Sequence, residues 1–85
     1  MTGERPRLTT HAREQVVRRG LDEQEVLSVA ANPEQRFALR EGREVRQSRR
    51  AEGPVTYLLR VIVDGGDTIV TAYRTSKIDK YWRQS

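Results

Sequence analysis

The segment Val55–Asp64 most constrains what this chain can fold into. It is the most apolar part of the sequence and is rich in β-branched and aromatic residues, which favour a buried β-strand. Asp64 is followed by Gly65 and Gly66, and two glycines that are free to adopt positive φ favour a tight hairpin turn. The sequence therefore predicts that Val55–Asp64 is a central strand paired antiparallel with Thr68–Arg74.

The residues before this segment predict a second hairpin. From Glu34 onward the period of the sequence changes to two, first in Gln35–Arg40 and then in the polar segment Arg43–Arg50. The pair Glu41-Gly42 between them is a favourable turn sequence. Together with the central hairpin, these segments predict a four-stranded antiparallel meander.

The N-terminal part of the chain has helical periodicity instead. Leu8–Arg19 is predicted as a first amphipathic helix that ends at Gly20. A second helix is predicted to begin after Asp22, with the spacing of a capping box to Glu25, and to end before Pro33. A last helical turn is predicted at Lys77–Trp82.

These elements predict an α+β fold in which the two N-terminal helices pack on one face of the four-stranded meander and the short helical turn follows it. We expect one domain over residues 8–83, preceded by a loose N-terminus over residues 1–7. A chain of 85 residues is long enough for one modest hydrophobic core.

Composition excludes several classes of chemistry. The chain has no cysteine and a single histidine, so it offers neither a disulfide framework nor a ligand set for a transition metal. It also lacks a Gly-rich phosphate loop, a nucleophile-elbow serine and an apolar segment long enough for a signal peptide or a membrane span. We therefore expect no cofactor, no metal, no membrane contact and a cytoplasmic protein.

The charge suggests a polyanionic partner. Sixteen basic residues against twelve acidic ones give a net charge of +4, and all but two of the bases are arginine. Arginine binds phosphate bidentately and stacks on bases. The alternative explanation is that a GC-rich genome encodes arginine in place of lysine. The excess of positive charge would then belong to an ordinary solvated surface that carries both signs of charge.

The central strand is predicted to have two unequal faces. The helices should cover the face formed by Val55, Tyr57, Leu59, Val61 and Val63. Arg60 lies in mid-strand on the other face, where a guanidinium must be paired or turned toward an open cleft. In the last strand, regular alternation predicts one face with Ile69, Thr71 and Tyr73 and the other with Val70 and Ala72. A small polar site results if Thr71 and Tyr73 share the open face with Arg60.

His11 is a candidate general acid or base. Its helical position is at the edge of the apolar stripe formed by Leu8, Ala12 and Val16, with Arg18 on the same side. An imidazole there can contact the sheet and still reach solvent, as proton transfer near neutral pH requires. A histidine that only packs or caps is the alternative.

The chemistry that remains accessible is metal-independent cleavage of RNA. The substrate supplies its own nucleophile, the 2′-hydroxyl group. The protein need only orient that group, transfer protons and stabilise the charge on the phosphorane with a cation.

Three stretches carry a family resemblance. They are Thr10–Glu14 with Arg18–Leu21, the helix end Asn32–Glu34, and the C-terminal sequence from Thr71 to Trp82, TAYRTSKIDKYW. Together they resemble an uncharacterised bacterial domain-of-unknown-function family of small toxin-like proteins. That family is remotely similar to the RelE, BrnT, barnase, EndoU and colicin-type ribonucleases, which share two N-terminal helices followed by a four-stranded antiparallel sheet.

The resemblance implies a free or ribosome-dependent mRNA endoribonuclease of a toxin–antitoxin pair. His11 would then be the general acid or base, and Arg18 and Arg60 would hold the scissile phosphate. Thr71 and Tyr73 would orient the substrate. The implied partners are RNA, including ribosome-bound mRNA, and an antitoxin protein. RelE-type toxins use several lysines, whereas this chain has only two.

A non-catalytic module of the same fold, which binds nucleic acid or protein, is the alternative function. The segment Arg43–Arg50 would contact RNA phosphates as a polar, edge-like strand, with Arg46 and Arg50 on one face and Arg49 on the other. With Lys77 of the C-terminal sequence, these arginines form the predicted RNA-binding set.

Overall fold

The structure is a computed structural model that describes residues 5–84. Its elements, in chain order, are β1 (Arg7–Leu8), α1 (Thr10–Arg18), α2 (Glu23–Ala31), β2 (Gln35–Ala38), β3 (Arg43–Glu52), β4 (Val55–Asp64), β5 (Thr68–Thr75) and α3 (Ile78–Tyr81). The strands form one sheet in the order β1-β5-β4-β3-β2. The predicted α+β class is therefore confirmed.

Strands β2 to β5 form the predicted antiparallel meander, but the sheet has a fifth strand. β1 adds to the outer edge of β5 in parallel, with backbone hydrogen bonds from Arg7 to Asp67 (3.0 Å) and from Thr9 to Ile69 (3.1 Å). The prediction of four strands was wrong because a two-residue strand has no periodicity to detect. Of the predicted loose N-terminus, residues 1–4 lie outside the described residues, whereas Arg7 belongs to β1.

Local capping explains where the first two helices begin. The Thr9 side chain accepts a hydrogen bond from the Ala12 amide (3.0 Å), so α1 begins at Thr10, two residues later than predicted. The Asp22 side chain accepts from the Gln24 amide (2.9 Å), which confirms the predicted start of α2. Glu25 does not complete a capping box. It accepts a hydrogen bond from the Tyr57 hydroxyl (3.0 Å), which ties α2 to the sheet.

The hydrophobic core lies between α1, α2 and one face of the sheet. Four of the five β4 residues predicted for this face are buried there: Tyr57, Leu59, Val61 and Val63. Complete burial of an aliphatic side chain such as Leu59 stabilises the fold by about 1.5–3 kcal/mol. Val55 was predicted in the core but is 56% exposed, because it lies at the strand end beyond the helices.

A bulge changes which β5 residues share a face. Ile62 pairs with Thr71 but Val63 pairs with Ile69, so Val70 has no partner in the β4 ladder. Ile69 and Ala72 are consequently both in the core, although regular alternation placed them on opposite faces. Tyr73 pairs with Arg60 on the other face, called the open face below.

Candidate nucleic-acid interface on the open face of the sheet

A single row of polar side chains crosses the open face. Register pairs Gln35 with Gln47, Gln47 with Arg60, and Arg60 with Tyr73, so the four residues stand side by side on four strands. Gln47 donates to Gln35 (2.8 Å), and Arg60 donates to Gln47 through Nε (2.8 Å) and to the Tyr73 hydroxyl through Nη1 (2.6 Å). The row is thus one continuous chain of hydrogen bonds.

Arg60 is the unusual member of this row. It is only 8% exposed, yet it forms no ion pair with a carboxylate of the described residues. Its polar contacts are neutral groups, and the Tyr81 ring centroid lies 4.2 Å from its Cζ. A buried guanidinium is costly unless its charge is compensated. The site therefore combines a fixed positive charge with donors already oriented by Gln47 and Tyr73.

The last residue of the one-turn helix α3 and the two residues after it run across the same row. We call Tyr81–Arg83 the strap. Gln47 donates to the Tyr81 carbonyl (3.1 Å), while the Gln35 amide donates to the Arg83 carbonyl (2.7 Å) and accepts from the Arg83 amide (3.1 Å). The two glutamine side chains thus hold the strap by its backbone, much as a neighbouring strand would.

Each strap side chain also forms an arginine–aromatic stack with the open face. The distances from guanidinium Cζ to ring centroid are 4.2 Å for Arg60 over Tyr81, 4.2 Å for Arg49 over Trp82 and 3.9 Å for Arg83 over Phe37. Such contacts contribute about 0.5–2 kcal/mol each, depending on exposure. Three successive stacks hold the strap in one register.

Arg49 is further oriented by an acid from the loop before β2. Its guanidinium donates to both Glu34 carboxylate oxygens, at 3.1 and 3.0 Å, and its backbone amide donates to Glu34 at 2.8 Å. Hydrogen bonds from the Arg49 side chain and amide lower the pKa of Glu34 below its ordinary value of 4.5. Arg49 is thus exposed and partly neutralised, whereas Arg60 is buried and has no such acid.

Thr71, predicted to accompany Arg60 and Tyr73, is engaged elsewhere. Its hydroxyl donates to Gln15 of α1 (2.5 Å), and it lies 3.4 Å from a guanidinium nitrogen of Arg19. Arg19 also donates to the Ala72 carbonyl (2.8 Å). These contacts attach α1 to β5, and the sequence offered no signal for Arg19, which follows the predicted phosphate-binding Arg18.

His11 and Arg18 are both exposed on α1. Within the described residues, neither side chain forms a hydrogen bond or an ion pair. The neighbouring residue Ala12 is in the core between the helices and the sheet, on the face opposite Arg60. No hydrogen bond or ion pair among residues 5–84 therefore joins the side chain of His11 or Arg18 to the Arg60–Tyr73 pair.

The predicted RNA-binding residues lie in four different environments. Arg46 is buried on the helix side of the sheet and donates to Ala30, Glu44, Gly66 and Asp67. Arg50 is half-buried and lies near Glu25 and Ser28. Arg49 is on the open face, and Lys77 is exposed at the start of α3. Of the four, Arg49 is the one in contact with the strap.

The residues that complete the site were not predicted. Strand register pairs Gln35 with Gln47 and Gln47 with Arg60, and residue types alone do not specify register. Tyr81 and Trp82 lie in the C-terminal stretch that carries the family resemblance, but no site role was predicted for them. Their contacts with Arg60 and Arg49 depend on how the chain turns after β5, and no local sequence pattern encodes that turn.

Within residues 5–84, no three histidine or acidic side chains come together as a possible metal-binding group, and no helix there has the length and apolar character needed to cross a bilayer. Comparison of the chain with protein-family models, curated proteins and solved structures finds no match in any of the three.

Proposed function

We propose that this chain binds single-stranded RNA on the open face, with a backbone phosphate held by Arg60. The observation behind the proposal is a guanidinium that is 8% exposed and has no carboxylate partner among the described residues. A phosphate would supply the missing negative charge and accept charge-assisted hydrogen bonds from Arg60 and Tyr73.

The surroundings of Arg60 favour RNA over a small anion. Aromatic rings of Phe37 and Tyr73 lie on the same face of the sheet, each close to an arginine side chain. Proteins bind single-stranded nucleic acid by combining cations for the backbone with aromatic surfaces for unstacked bases. The net charge of +4 adds a long-range attraction to such a polyanion.

Fluorescence anisotropy with a labelled single-stranded oligouridylate tests this proposal. Arg60→Gln and Arg13→Gln each remove one positive charge, but Arg13 lies on α1 and pairs with Glu23. We expect Arg60→Gln to weaken binding by about tenfold or more and to lower the salt dependence by about one phosphate contact, while Arg13→Gln changes little. Equal effects of the two substitutions, with both variants folded by circular dichroism, would contradict the assignment of Arg60.

Metal-independent cleavage of the bound RNA is the more specific proposal. It is favoured by the 2.6 Å contact between Arg60 Nη1 and the Tyr73 hydroxyl, which places a cation and a proton donor side by side. The 2′-oxygen would attack phosphorus and lose its proton to water, and the bond to the 5′-oxygen would break. Tyr73 would protonate that oxygen, leaving a 2′,3′-cyclic phosphate, while Arg60 stabilises the phosphorane.

Incubation of RNA with the protein in EDTA tests cleavage, with Tyr73→Phe, Tyr81→Phe and His11→Ala as variants. We expect cleavage by the parent chain and by Tyr81→Phe, and its loss in Tyr73→Phe. Loss in His11→Ala instead would assign proton transfer to the histidine, as the family resemblance implies. If the parent chain binds RNA but does not cleave it, the proposal of cleavage is wrong and the protein is a non-catalytic RNA-binding module. The antitoxin partner implied by the resemblance stays a prediction.

A further inference from the structure

We propose that the strap regulates this RNA site by occupying the path of the RNA, so that it must lift before a phosphate reaches Arg60. The inference rests on the proposed function and concerns the same site. Tyr81 lies with its ring centroid 4.2 Å from Arg60 Cζ, and Arg60 is 8% exposed. A phosphate cannot approach the stacked face of the guanidinium while the ring remains there.

The bonds that hold the strap can be exchanged for bonds to a ligand or to water. They run from its backbone to the side-chain amides of Gln35 and Gln47, and not to a neighbouring strand. A side-chain amide offers an adjacent donor and acceptor, and water can pair with both once the strap has lifted. Lifting the strap therefore leaves no group on the sheet that solvent cannot pair.

The element that anchors the strap is weakly held. α3 has only four residues, none of them buried, and Lys77 at its N-terminus provides no side-chain cap. A single helical turn without tertiary burial is not stable alone, because nucleation fixes several residues for one hydrogen bond. Segments with few buried contacts open at low free energy. The strap can thus move without disturbing the core on the other face.

Charge favours an RNA-bound, lifted state. Three cations of the C-terminal segment, Lys77, Lys80 and Arg83, outnumber its one acid, Asp79, and the strap lies over Arg49 and Arg60. The cations of the C-terminal segment repel Arg49 and Arg60, whereas an RNA phosphate backbone attracts both groups of cations. RNA therefore interacts more favourably with the lifted strap than with the closed one, which is the condition for a ligand to shift such an equilibrium.

Trp82 provides a direct readout, because it is the only tryptophan in the chain and lies in the strap. We expect titration with oligouridylate to shift its emission to the red as it leaves Arg49 and enters water. Gln35→Met removes two strap bonds without a change of charge. It should tighten RNA binding by roughly fivefold, because more of the protein is then open. Gln24→Met, on the exposed surface of α2, is the matched control and should bind as the parent does.

The outcomes separate this inference from the proposed function. RNA binding that is unchanged or weaker in Gln35→Met, or quenching of Trp82 without a red shift, overturns the strap as a competitor and leaves RNA binding intact. No RNA binding by the parent chain or by either variant overturns both proposals. Circular dichroism and thermal unfolding verify that Gln35→Met is folded, and Gln35→Ala repeats the test with a smaller side chain.

Discussion

Arg46 and Arg60 lie on opposite faces of the same sheet, both less than a tenth exposed, yet only Arg46 pairs with carboxylates of the described residues. Arg46 faces α2 and is neutralised by Glu44 and Asp67, with two backbone carbonyls as further acceptors. It is a structural cation. Arg60, held by neutral groups, has no carboxylate partner among these residues and is the one we propose for the phosphate.

Replacing Arg46 should therefore destabilise the protein strongly. Arg46→Met leaves the Ala30 and Gly66 carbonyls and the Asp67 carboxylate without this donor, while Glu44 keeps its pair with Arg36. We expect a loss of about 2–4 kcal/mol in the free energy of unfolding. Arg43→Met, on the same strand, removes an exposed pair with Asp64 at 3.9 Å and should cost less than about 0.5 kcal/mol. Urea denaturation measures both. Similar losses in the two variants would show that the contacts of Arg46 contribute no more to stability than an exposed ion pair does.

The Tyr73 hydroxyl should contribute to stability as well as to the site. Tyr73→Phe leaves Arg60 Nη1 without its acceptor in a buried place, and we expect a loss of about 1–3 kcal/mol. The Tyr81 hydroxyl forms no hydrogen bond with residues 5–84, so Tyr81→Phe keeps the ring over Arg60 and should change stability by less than about 0.5 kcal/mol. Thermal unfolding of the two variants compares them directly; a larger loss in Tyr81→Phe would contradict the geometry.

Two neighbouring arginines at the end of α1 should behave differently. Arg19→Met removes the bond to the Ala72 carbonyl and is expected to lower the free energy of unfolding by about 0.5–1.5 kcal/mol. Arg18→Met is the matched control, since it removes the same charge from an exposed position with no such contact, and should have little effect. Chemical denaturation measures the free energy of unfolding of both variants. Equal losses would show that the effect of Arg19→Met comes from the lost charge and not from the contact with Ala72.

The ion pair of Glu34 and Arg49 makes one contribution to stability depend on pH. Because the pKa of Glu34 is lower in the folded state, the contribution is present above its ordinary value of 4.5 and is lost as pH falls through the folded-state pKa. Glu34→Gln should therefore be less stable than the parent at pH 7, and the difference should shrink in acid. Urea denaturation midpoints of the parent chain and of Glu34→Gln, measured from acid pH to pH 7, provide the test. If the difference in stability between the two does not change with pH, the Glu34 carboxylate is not its cause.

Local chemistry made much of the fold predictable. The bounds of β4 and the Asp22 cap of α2 follow from residue types and their spacing, as do the glycine turns at Gly42 and Gly65, which have positive φ. The parallel strand β1 could not be predicted. Its two residues are placed by the backbone of β5, and no pattern of their own specifies it.

The site was predictable only in part, because register decides it. Arg60 and Tyr73 were proposed as neighbours, and the ladder pairs them directly. Thr71 belongs to the same strand, but its hydroxyl is used by Gln15 of α1. The two glutamines and the strap complete the site through contacts that are distant in sequence, up to 48 residues for Gln35 and Arg83. Propensity and periodicity contain no information about such contacts.

The bulge at Val70 has a consequence for changes in chain length. Val70 is the β5 residue without a partner, so its deletion would leave Ile69, Thr71, Ala72 and Tyr73 in regular alternation with their present faces and partners. An insertion between Ala72 and Tyr73 would instead turn the tyrosine toward the helices and remove it from Arg60. Natural length variation in this strand is therefore expected before Thr71 and not after Ala72.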